Sequence, residues 1–169
     1  MHVHRARPPV RHVRAAAAFL LAAIVPSTAG AQSLSLSGLA GPSVVVDAEA
    51  IRAMPHRTVT AAIHGLSGAY SGVPLTLLLA RVNAPQGETL RGPAMSDVVA
   101  VKACDGYRVV LTLPDIDPAF RDQTVIVADT LDGHPLDVHQ GPFRLIVEGD
   151  KRAARSARCV TSIAVQAVP

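Results

Sequence analysis

The N-terminal segment constrains the fold most, because it determines which part of the chain has to form the folded domain. Residues 1–31 contain four arginines and no acidic residue, then an uninterrupted apolar run at 15–25, and then Ala-Gly-Ala at 29–31. A basic start, a short apolar stretch and small residues at the end are typical of a cleavable secretory signal. We therefore predict a signal peptide over 1–31 and one folded domain over 32–169, located in the periplasm or secreted.

The alternative for this segment is an uncleaved apolar helix that anchors the chain in a membrane. The apolar run has eleven residues, whereas a helix that spans a bilayer needs about 20. The rest of the chain has no second apolar run of spanning length. The sequence therefore predicts no membrane anchor after the signal is cleaved.

Net charge excludes one class of partner. The whole chain has 16 basic and 13 acidic residues, which gives a net charge of +3. Because four of the arginines lie in the signal, residues 32–169 hold 12 basic and 13 acidic residues and have a net charge of −1. The positive charge thus belongs to the export segment, and we predict no nucleic-acid partner. The remaining 138 residues suit one domain with one core.

Many short β-branched or alternating segments indicate a mainly β domain with a few short helices. Asp47 is a suitable N-cap for a helix at 48–54, and Pro74 opens a second helix at 75–82. Residues 64–71 are glycine-rich and are predicted to form a loop. Strands are predicted at 43–46, 57–63, 98–103, 108–113, 124–128, 143–147 and 160–165, with 32–39 as a first strand or a loose leader. The expected fold class is α+β with a mixed, partly barrel-like sheet.

The two cysteines, Cys104 and Cys159, both belong to the predicted mature domain. In an oxidising compartment such a pair can form a disulfide. The alternative is two buried thiols that pack as small hydrophobic residues. The residues alone leave both open, because a disulfide requires the two Cα atoms to lie within about 7 Å. No Cys-x-x-Cys or Cys/His cluster predicts a zinc site.

Single motifs carry little information about function. The chain has no Gly-x-Ser-x-Gly, no His-Glu-x-x-His and no phosphate-loop glycine pattern. The histidines of the mature part are scattered. The basic stretch at 151–158 has two interpretations: its arginines could bind a phosphate or carboxylate, or it is a solvated connection between two strands.

Four segments that occur in a fixed order indicate more about fold and function than any one of them alone. The order and spacing resemble the molybdopterin-binding domain of the sulfite oxidase family, including its bacterial periplasmic methionine-sulfoxide-reducing branch. The segments lie at 70–75 (Tyr-Ser-Gly-Val-Pro-Leu), 105–107 (Asp-Gly-Tyr), 132–147 (from Asp-Gly-His-Pro-Leu to Gly-Pro-Phe-Arg-Leu-Ile-Val) and 153–160 (Ala-Ala-Arg-Ser-Ala-Arg-Cys-Val). The resemblance runs from about 44 to 165 and covers the C-terminal portion of the family domain. It implies that family's α+β fold, a molybdopterin cofactor and oxidoreductase-type chemistry.

The resemblance also implies cofactor-binding residues. The family's Gly-x-Pro-x-Arg element places an arginine near the pterin phosphate, and Arg144 matches it, with His139 or Gln140 before it. A guanidinium group suits an anionic phosphate because it donates two parallel hydrogen bonds. Tyr107, from the Asp-Gly-Tyr segment, is expected to line the same cleft.

A second element of the family wraps the pterin with backbone and basic side chains. Its pattern is Gly-x-Arg/Lys-Ser-x-Lys, and Arg155, Ser156 and Arg158 match it, with Ala153 in place of the glycine. The resemblance therefore predicts that several arginines late in the chain converge on one anion-binding cleft.

Two departures from the family concern the metal. The family holds molybdenum through a cysteine thiolate about a dozen residues before the glycine of the Gly-Val-Pro-Leu element. Here that position is Thr60, and its neutral hydroxyl is a poor ligand for a soft, high-valent metal. Family members that export loaded cofactor carry a twin-arginine signal, but Arg5 and Arg7 are separated by Ala6. The chain is thus expected to be exported unfolded and empty, which argues against molybdenum.

Three functions follow as hypotheses. The first is a periplasmic oxidoreductase-type protein that binds molybdopterin and is redox-active with a partner. The second is a non-catalytic periplasmic binding module that keeps the fold, has lost the metal, and binds a small anionic ligand, a pterin or a protein partner. The third is an unrelated small β-rich domain whose motifs match by coincidence.

Overall fold

The computed structural model describes residues 32–168, so the predicted signal peptide lies outside the described part. Within it the order of elements is β1 (Ser33–Ser37), β2 (Val44–Asp47), α1 (Ala48–Ala53), β3 (Arg57–Ile63), β4 (Leu66–Pro74), α2 (Leu75–Ala80), β5 (Val98–Ala103), β6 (Arg108–Thr112), β7 (Val125–Leu131), β8 (His134–Pro135), β9 (Arg144–Val147) and β10 (Val160–Gln166). Short 3-10 turns lie at Gly87–Thr89, Gly92–Ser96 and Ala153–Arg155.

The strands form two five-stranded sheets. The first has the order β2-β1-β10-β5-β6, with β1 and β10 parallel and the other pairs antiparallel. The second runs β3-β4-β7, and the far edge of β7 pairs with both β8 and β9. The mixed α+β class is confirmed. The structure has no closed barrel: within residues 32–168 the strand order of the first sheet runs from β2 to β6 and that of the second from β3 to β8.

The second sheet is covered by apolar side chains on both faces. All four residues of β9 are buried, and so are the first four of β7. Alternation along β9 sends Leu145 and Val147 into the main core, which also receives α1 and α2. Ile146 joins a smaller cluster on the opposite face. Because side chains of a strand alternate, Arg144 projects to the same face as Ile146, away from the main core.

The prediction of a glycine-rich loop at 64–71 is wrong. Residues His64 and Gly65 form a two-residue turn with φ values of 51° and 82°, which matches the twist of a tight hairpin, and β4 follows directly. Gly72, just after this segment, serves close packing, because a Cβ there would overlap the carbonyl oxygen of Val127 and the Cα of Ala128 on β7. The strand forms there because it pairs on both edges, with β3 and β7.

Gly72→Ala is therefore expected to destabilise the domain by about 1–3 kcal/mol, because the methyl group has to displace the β7 backbone. Urea unfolding of the purified domain measures this. The control is Ser67→Ala at an exposed position of the same strand, which should change the free energy of unfolding by less than about 0.5 kcal/mol. Equal effects of the two substitutions would contradict the assigned contact.

Helix α1 begins as predicted. The Asp47 carboxylate accepts a hydrogen bond from the Ala50 N–H at 2.7 Å, as an N-cap does.

After the helix, the ring of His56 lies between two oxygens. Nδ1 is 2.7 Å from the Met54 carbonyl oxygen and Nε2 is 3.1 Å from Oδ2 of Asp129 on β7. An imidazole donates to both only when it is protonated.

The two hydrogen bonds of the His56 ring predict that the free energy of unfolding depends on pH. Burial lowers the pKa of His56, but the hydrogen bonds to Met54 and Asp129 and the charge of Asp129 outweigh it, so the pKa is raised above its ordinary value. A raised folded-state pKa stabilises the domain fully below about 6.5, the unfolded value, and this contribution is lost as pH rises through the folded-state pKa.

Unfolding of the wild type and of His56→Gln at pH 5 to 9 isolates the contribution of this ring from that of the other histidines. The difference in unfolding free energy between the two proteins should shrink as pH increases. A difference that stays constant or grows with pH would show that the protonated His56 ring does not stabilise the domain.

Within residues 32–168, no helix is long and apolar enough to cross a bilayer.

Candidate ligand-binding cavity

A cavity of about 930 Å³ opens where the ends of the two sheets meet. One wall comes from the β3–β4 and β7–β8 hairpins, and another from the β5–β6 hairpin of the first sheet. The loop at 137–140 and the segment at 153–158 complete it. The lining residues are Ile63, His64, Leu66, Ser67, Gly68, Tyr70, Ala103, Asp105, Tyr107, Leu131, Asp132, Asp137, His139, Gln140, Arg144, Ala153, Ala154, Ser156, Ala157 and Arg158.

Six of the seven predicted site residues line this one cavity. They come from three separate stretches of sequence, and only the tertiary fold brings them together. The six are Tyr107, His139, Gln140, Arg144, Ser156 and Arg158. The fold thus places most of the predicted cleft residues on a common surface.

Arg155 is the residue that the fold does not bring to the cavity. Its guanidinium group donates two hydrogen bonds to the Asp150 carboxylate, from Nε at 2.9 Å and from Nη2 at 2.6 Å. The hydrogen bond to Asp150 is the main cause of the raised pKa of Arg155. The Arg155 side chain is thus held at Asp150, whereas Ser156 and Arg158 line the cavity. Its partner, Asp150, lies outside the 153–158 family pattern.

Arg144 is a buried cation in the cavity wall. It is 6% exposed, although β9 gives it no carboxylate partner. Its Nη1 donates to Oε1 of Gln140 at 2.6 Å, and its guanidinium carbon lies 5.9 Å from the centre of the Tyr70 ring. Its Nε is buried and has no hydrogen-bond partner among the described residues. A buried donor without a partner is costly, so this side chain is arranged for something other than stability.

Arg158 supplies the second positive charge. Burial lowers the pKa of Arg144; the Tyr70 hydroxyl opposes this, and the nearby charge of Arg158 lowers it further. Among residues 32–168 neither guanidinium forms an ion pair with a carboxylate within 4 Å. The charge of Asp137, which also lines the cavity, acts in the opposite direction on Arg144. Two guanidinium groups that face one cavity without a carboxylate within 4 Å keep donors free for an anion.

The loop at 137–140 positions the partner of Arg144. The Asp137 carboxylate accepts hydrogen bonds from the backbone N–H of His139 at 2.8 Å and of Gln140 at 3.0 Å, and from Nε2 of Gln140 at 2.8 Å. The Gln140 side-chain bond is the main cause of the lowered pKa of Asp137. Sequence analysis missed Asp137, although an aspartate that begins a tight turn is a recognisable signal.

One further hydrogen bond joins two walls of the cavity. The Tyr107 hydroxyl, on the β5–β6 hairpin, donates to the Ala154 carbonyl oxygen at 2.8 Å. Ser156 is buried, and its hydroxyl oxygen accepts a hydrogen bond from the Val147 N–H at 3.5 Å. Tyr70, which the sequence pattern contained without a role, is 3% exposed and lies beneath Arg144; burial is the main cause of its raised pKa.

Cys104 and Cys159 form a disulfide with a Cα–Cα distance of 5.6 Å. The structure therefore decides between the two alternatives that the sequence left open. The bridge lies directly behind the cavity, because Ala103 and Asp105 flank one cysteine and Arg158 precedes the other.

The residues present do not suit a thiolate-bound metal. Both cysteines of the chain are consumed in the disulfide. Thr60, at the family's ligand position, is exposed on β3 and does not line the cavity. No group of three or more histidine, cysteine, aspartate or glutamate residues is arranged to hold a metal ion in the part of the chain that the structure describes. The cavity thus fits an anion but not a molybdenum ion held by a protein thiolate.

The fold and cavity define an α+β domain with a cleft between two sheets, whose lining includes two arginines and three aspartates. No family model matches the sequence, and no curated protein matches it. Among solved structures, the chain is similar to a chain of the sulfane dehydrogenase SoxCD from Paracoccus pantotrophus, with a TM-score of 0.58 and 22% sequence identity. The similarity covers 80% of this chain and 39% of that one, so the chain spans less than half of its neighbour. The similarity shows a shared fold.

Proposed function

We propose that this chain is an exported binding domain for an anionic, ring-bearing small molecule of the pterin class, and that it binds this ligand without a metal. The observation that carries the proposal is the pair of guanidinium groups, Arg144 and Arg158, which face one cavity without a carboxylate partner among the described residues. Such a pair matches a phosphate group, which accepts several charge-assisted hydrogen bonds.

The rest of the cavity suits a flat heterocycle. Its volume of about 930 Å³ lies in the range of small-molecule sites. Ile63, Leu131 and the Tyr107 ring offer apolar surface, and Asp105 and Asp132 add carboxylates that can accept from ring N–H groups. Molybdopterin combines such a ring with a phosphate, so its organic part fits these residues. Its metal would need a ligand that this chain does not offer.

Export supports the same proposal. The pattern of residues 1–31 predicts a signal peptide, and a disulfide is typical of proteins in oxidising compartments. We therefore place the domain in the periplasm or outside the cell.

A second candidate is an oxidoreductase-type domain that works with a partner protein. The fold that it shares with a chain of a dehydrogenase favours this candidate. The partner would then have to contribute the missing metal ligand, and the cofactor would be bound between the two proteins.

Analysis of the native protein distinguishes the two. The exported protein is purified from its native host, in which a partner protein would be present together with the cofactor. Pterin fluorescence after denaturation, without stoichiometric molybdenum by elemental analysis, is the expected result. One molybdenum per chain would support the second candidate instead. A protein that yields no pterin and binds no phosphorylated pterin added in solution would contradict both.

Two arginines three residues apart provide a matched pair of variants. Arg158→Gln is expected to weaken the binding of a phosphorylated pterin by about 10- to 100-fold, because one charge-assisted hydrogen bond contributes about 1.5–3 kcal/mol. Arg155→Gln should change the dissociation constant by less than about threefold, since its guanidinium is already bound to Asp150.

Isothermal titration of both variants measures the two dissociation constants. A larger loss in Arg155→Gln than in Arg158→Gln would show that the ligand lies elsewhere.

A further inference from the structure

We infer that the Cys104–Cys159 disulfide is a redox switch for the cavity: the bridged protein binds its ligand, and reduction of the bridge by a dithiol weakens binding. This inference rests on the proposed function and adds a form of regulation to it.

The bridge connects two walls of the cavity that are far apart in sequence. Cys104 lies in the β5–β6 hairpin between two lining residues, Ala103 and Asp105, and Cys159 follows the lining residue Arg158. The two cysteines are 55 residues apart. The covalent link therefore holds the hairpin that carries Tyr107 against the segment that carries one of the two cavity arginines.

The backbone of Cys159 also supports the second arginine. Its N–H donates to the Gln140 carbonyl oxygen at 3.0 Å, and its own carbonyl oxygen accepts from the Cys104 N–H at 2.8 Å. Gln140 in turn accepts from Nη1 of Arg144 through its side chain. Both cavity arginines are thus connected to the bridge, one as its chain neighbour and the other through Gln140.

The conformation of Cys159 indicates that this arrangement is held in place. Its φ is 50°, in the left-handed region that non-glycine residues adopt rarely. Such a conformation persists when the surroundings enforce it. Once the covalent link is absent, the segment 157–159 has less to keep it in this conformation, and the position of Arg158 becomes less defined.

The bridge is accessible to a reductant, since Cys104 is exposed and Cys159 is half-buried. A thiolate of an external dithiol attacks the sulfur of Cys104, which forms a mixed disulfide and releases the Cys159 thiolate. The second thiol of the dithiol then displaces Cys104, also as a thiolate. Two electrons pass from the dithiol to the protein disulfide, both cysteine thiolates take up protons, and the dithiol leaves as a disulfide.

Reduction should loosen the cavity wall without unfolding the domain. Neither cysteine belongs to the two apolar clusters. The pairing of β5 with β10 runs from Val160 opposite Ala103 to Gln166 opposite Val98 and does not need the sulfurs. The consequence of reduction is therefore local, at the wall that carries Tyr107 and Arg158.

The test compares ligand affinity in the two redox states. Neopterin monophosphate is titrated into the purified protein with and without a dithiol, and into Cys104→Ser/Cys159→Ser, which has no bridge. Inorganic phosphate serves as a second probe. We expect the dissociation constant for the phosphorylated pterin to rise by about tenfold or more on reduction, and the double variant to bind as weakly in both conditions.

Hydrogen exchange provides a readout independent of the ligand. Reduction is expected to increase amide exchange first and most in 103–107 and 153–159, while β4 and β7 keep the protection that only global unfolding removes.

The outcomes separate this inference from the proposed function. Equal affinity of the oxidised and reduced proteins overturns the switch but leaves the binding function intact. Failure of the oxidised protein to bind either probe overturns both. Loss of exchange protection throughout the domain on reduction also overturns the switch, because the bridge would then be a requirement for folding.

Discussion

Replacing Arg144 with methionine is expected to weaken the binding of a phosphorylated pterin by at least about 100-fold while leaving the ligand-free domain at least as stable as the wild type. The loss follows because Arg144 is the more buried of the two cavity cations, and a hydrogen bond to a charge is stronger where water is excluded. Isothermal titration measures the affinity and urea unfolding the stability.

The stability part of this prediction comes from the same burial. The side chain is 6% exposed, with an unpartnered Nε and a second cation nearby. Methionine has a similar length, no charge and a flexible thioether that fills irregular space, and replacing an uncompensated buried charge is often neutral or stabilising. The lost contacts to Gln140 and Tyr70 are the opposing cost.

A matched control is Arg152→Met, at an exposed position outside the cavity, which should alter neither quantity. A marked loss of stability in Arg144→Met would show that Arg144 is a structural residue. Unchanged affinity would remove the main support for an anion site.

Removing the disulfide is expected to lower the free energy of unfolding by about 2–5 kcal/mol. The bridge closes a loop of 55 residues, so its loss returns conformational freedom to the unfolded chain. A domain has a total stability of about 5–15 kcal/mol, so Cys104→Ser/Cys159→Ser should still fold at 25 °C but melt at a lower temperature.

Thermal and urea unfolding of the double variant, and of the wild type with and without a dithiol, provide the comparison. Reduced wild type should match the double variant, and the dithiol should have no effect on the variant. A change below about 1 kcal/mol would mean that the unfolded chain is not restricted by the bridge.

The sequence predicted local structure best where a local interaction decides it. The N-cap at Asp47 and the strand at 57–63 were predicted correctly, because a capping side chain and an alternating pattern act within a few residues. The loop predicted at 64–71 was wrong for the opposite reason. Its glycines suggested irregular structure, but Gly65 forms a tight turn and β4 forms because β3 and β7 pair with its two edges. Gly72, just after this segment, allows β7 to approach.

The candidate site shows the same division. The family resemblance selected seven side chains, and six of them line one cavity. Two of the six are guanidinium groups, which suit a phosphate-sized anion. Arg155 was selected on the same chemistry but lies bound to Asp150. The sequence does not show whether Arg155 or Arg158 reaches a carboxylate. That depends on how the chain folds between Asp150 and these arginines.

The amino-acid sequence by itself predicted the α+β class, an export segment and several arginines late in the chain. Composition and short-range patterns are sufficient for all three. The tertiary structure alone decided that the two sheets form no closed barrel, that Cys104 and Cys159 are bonded and that Arg144 and Arg158 share a cavity. Those properties depend on contacts between residues far apart in the chain, and such contacts are set by packing and strand pairing rather than by neighbouring residues.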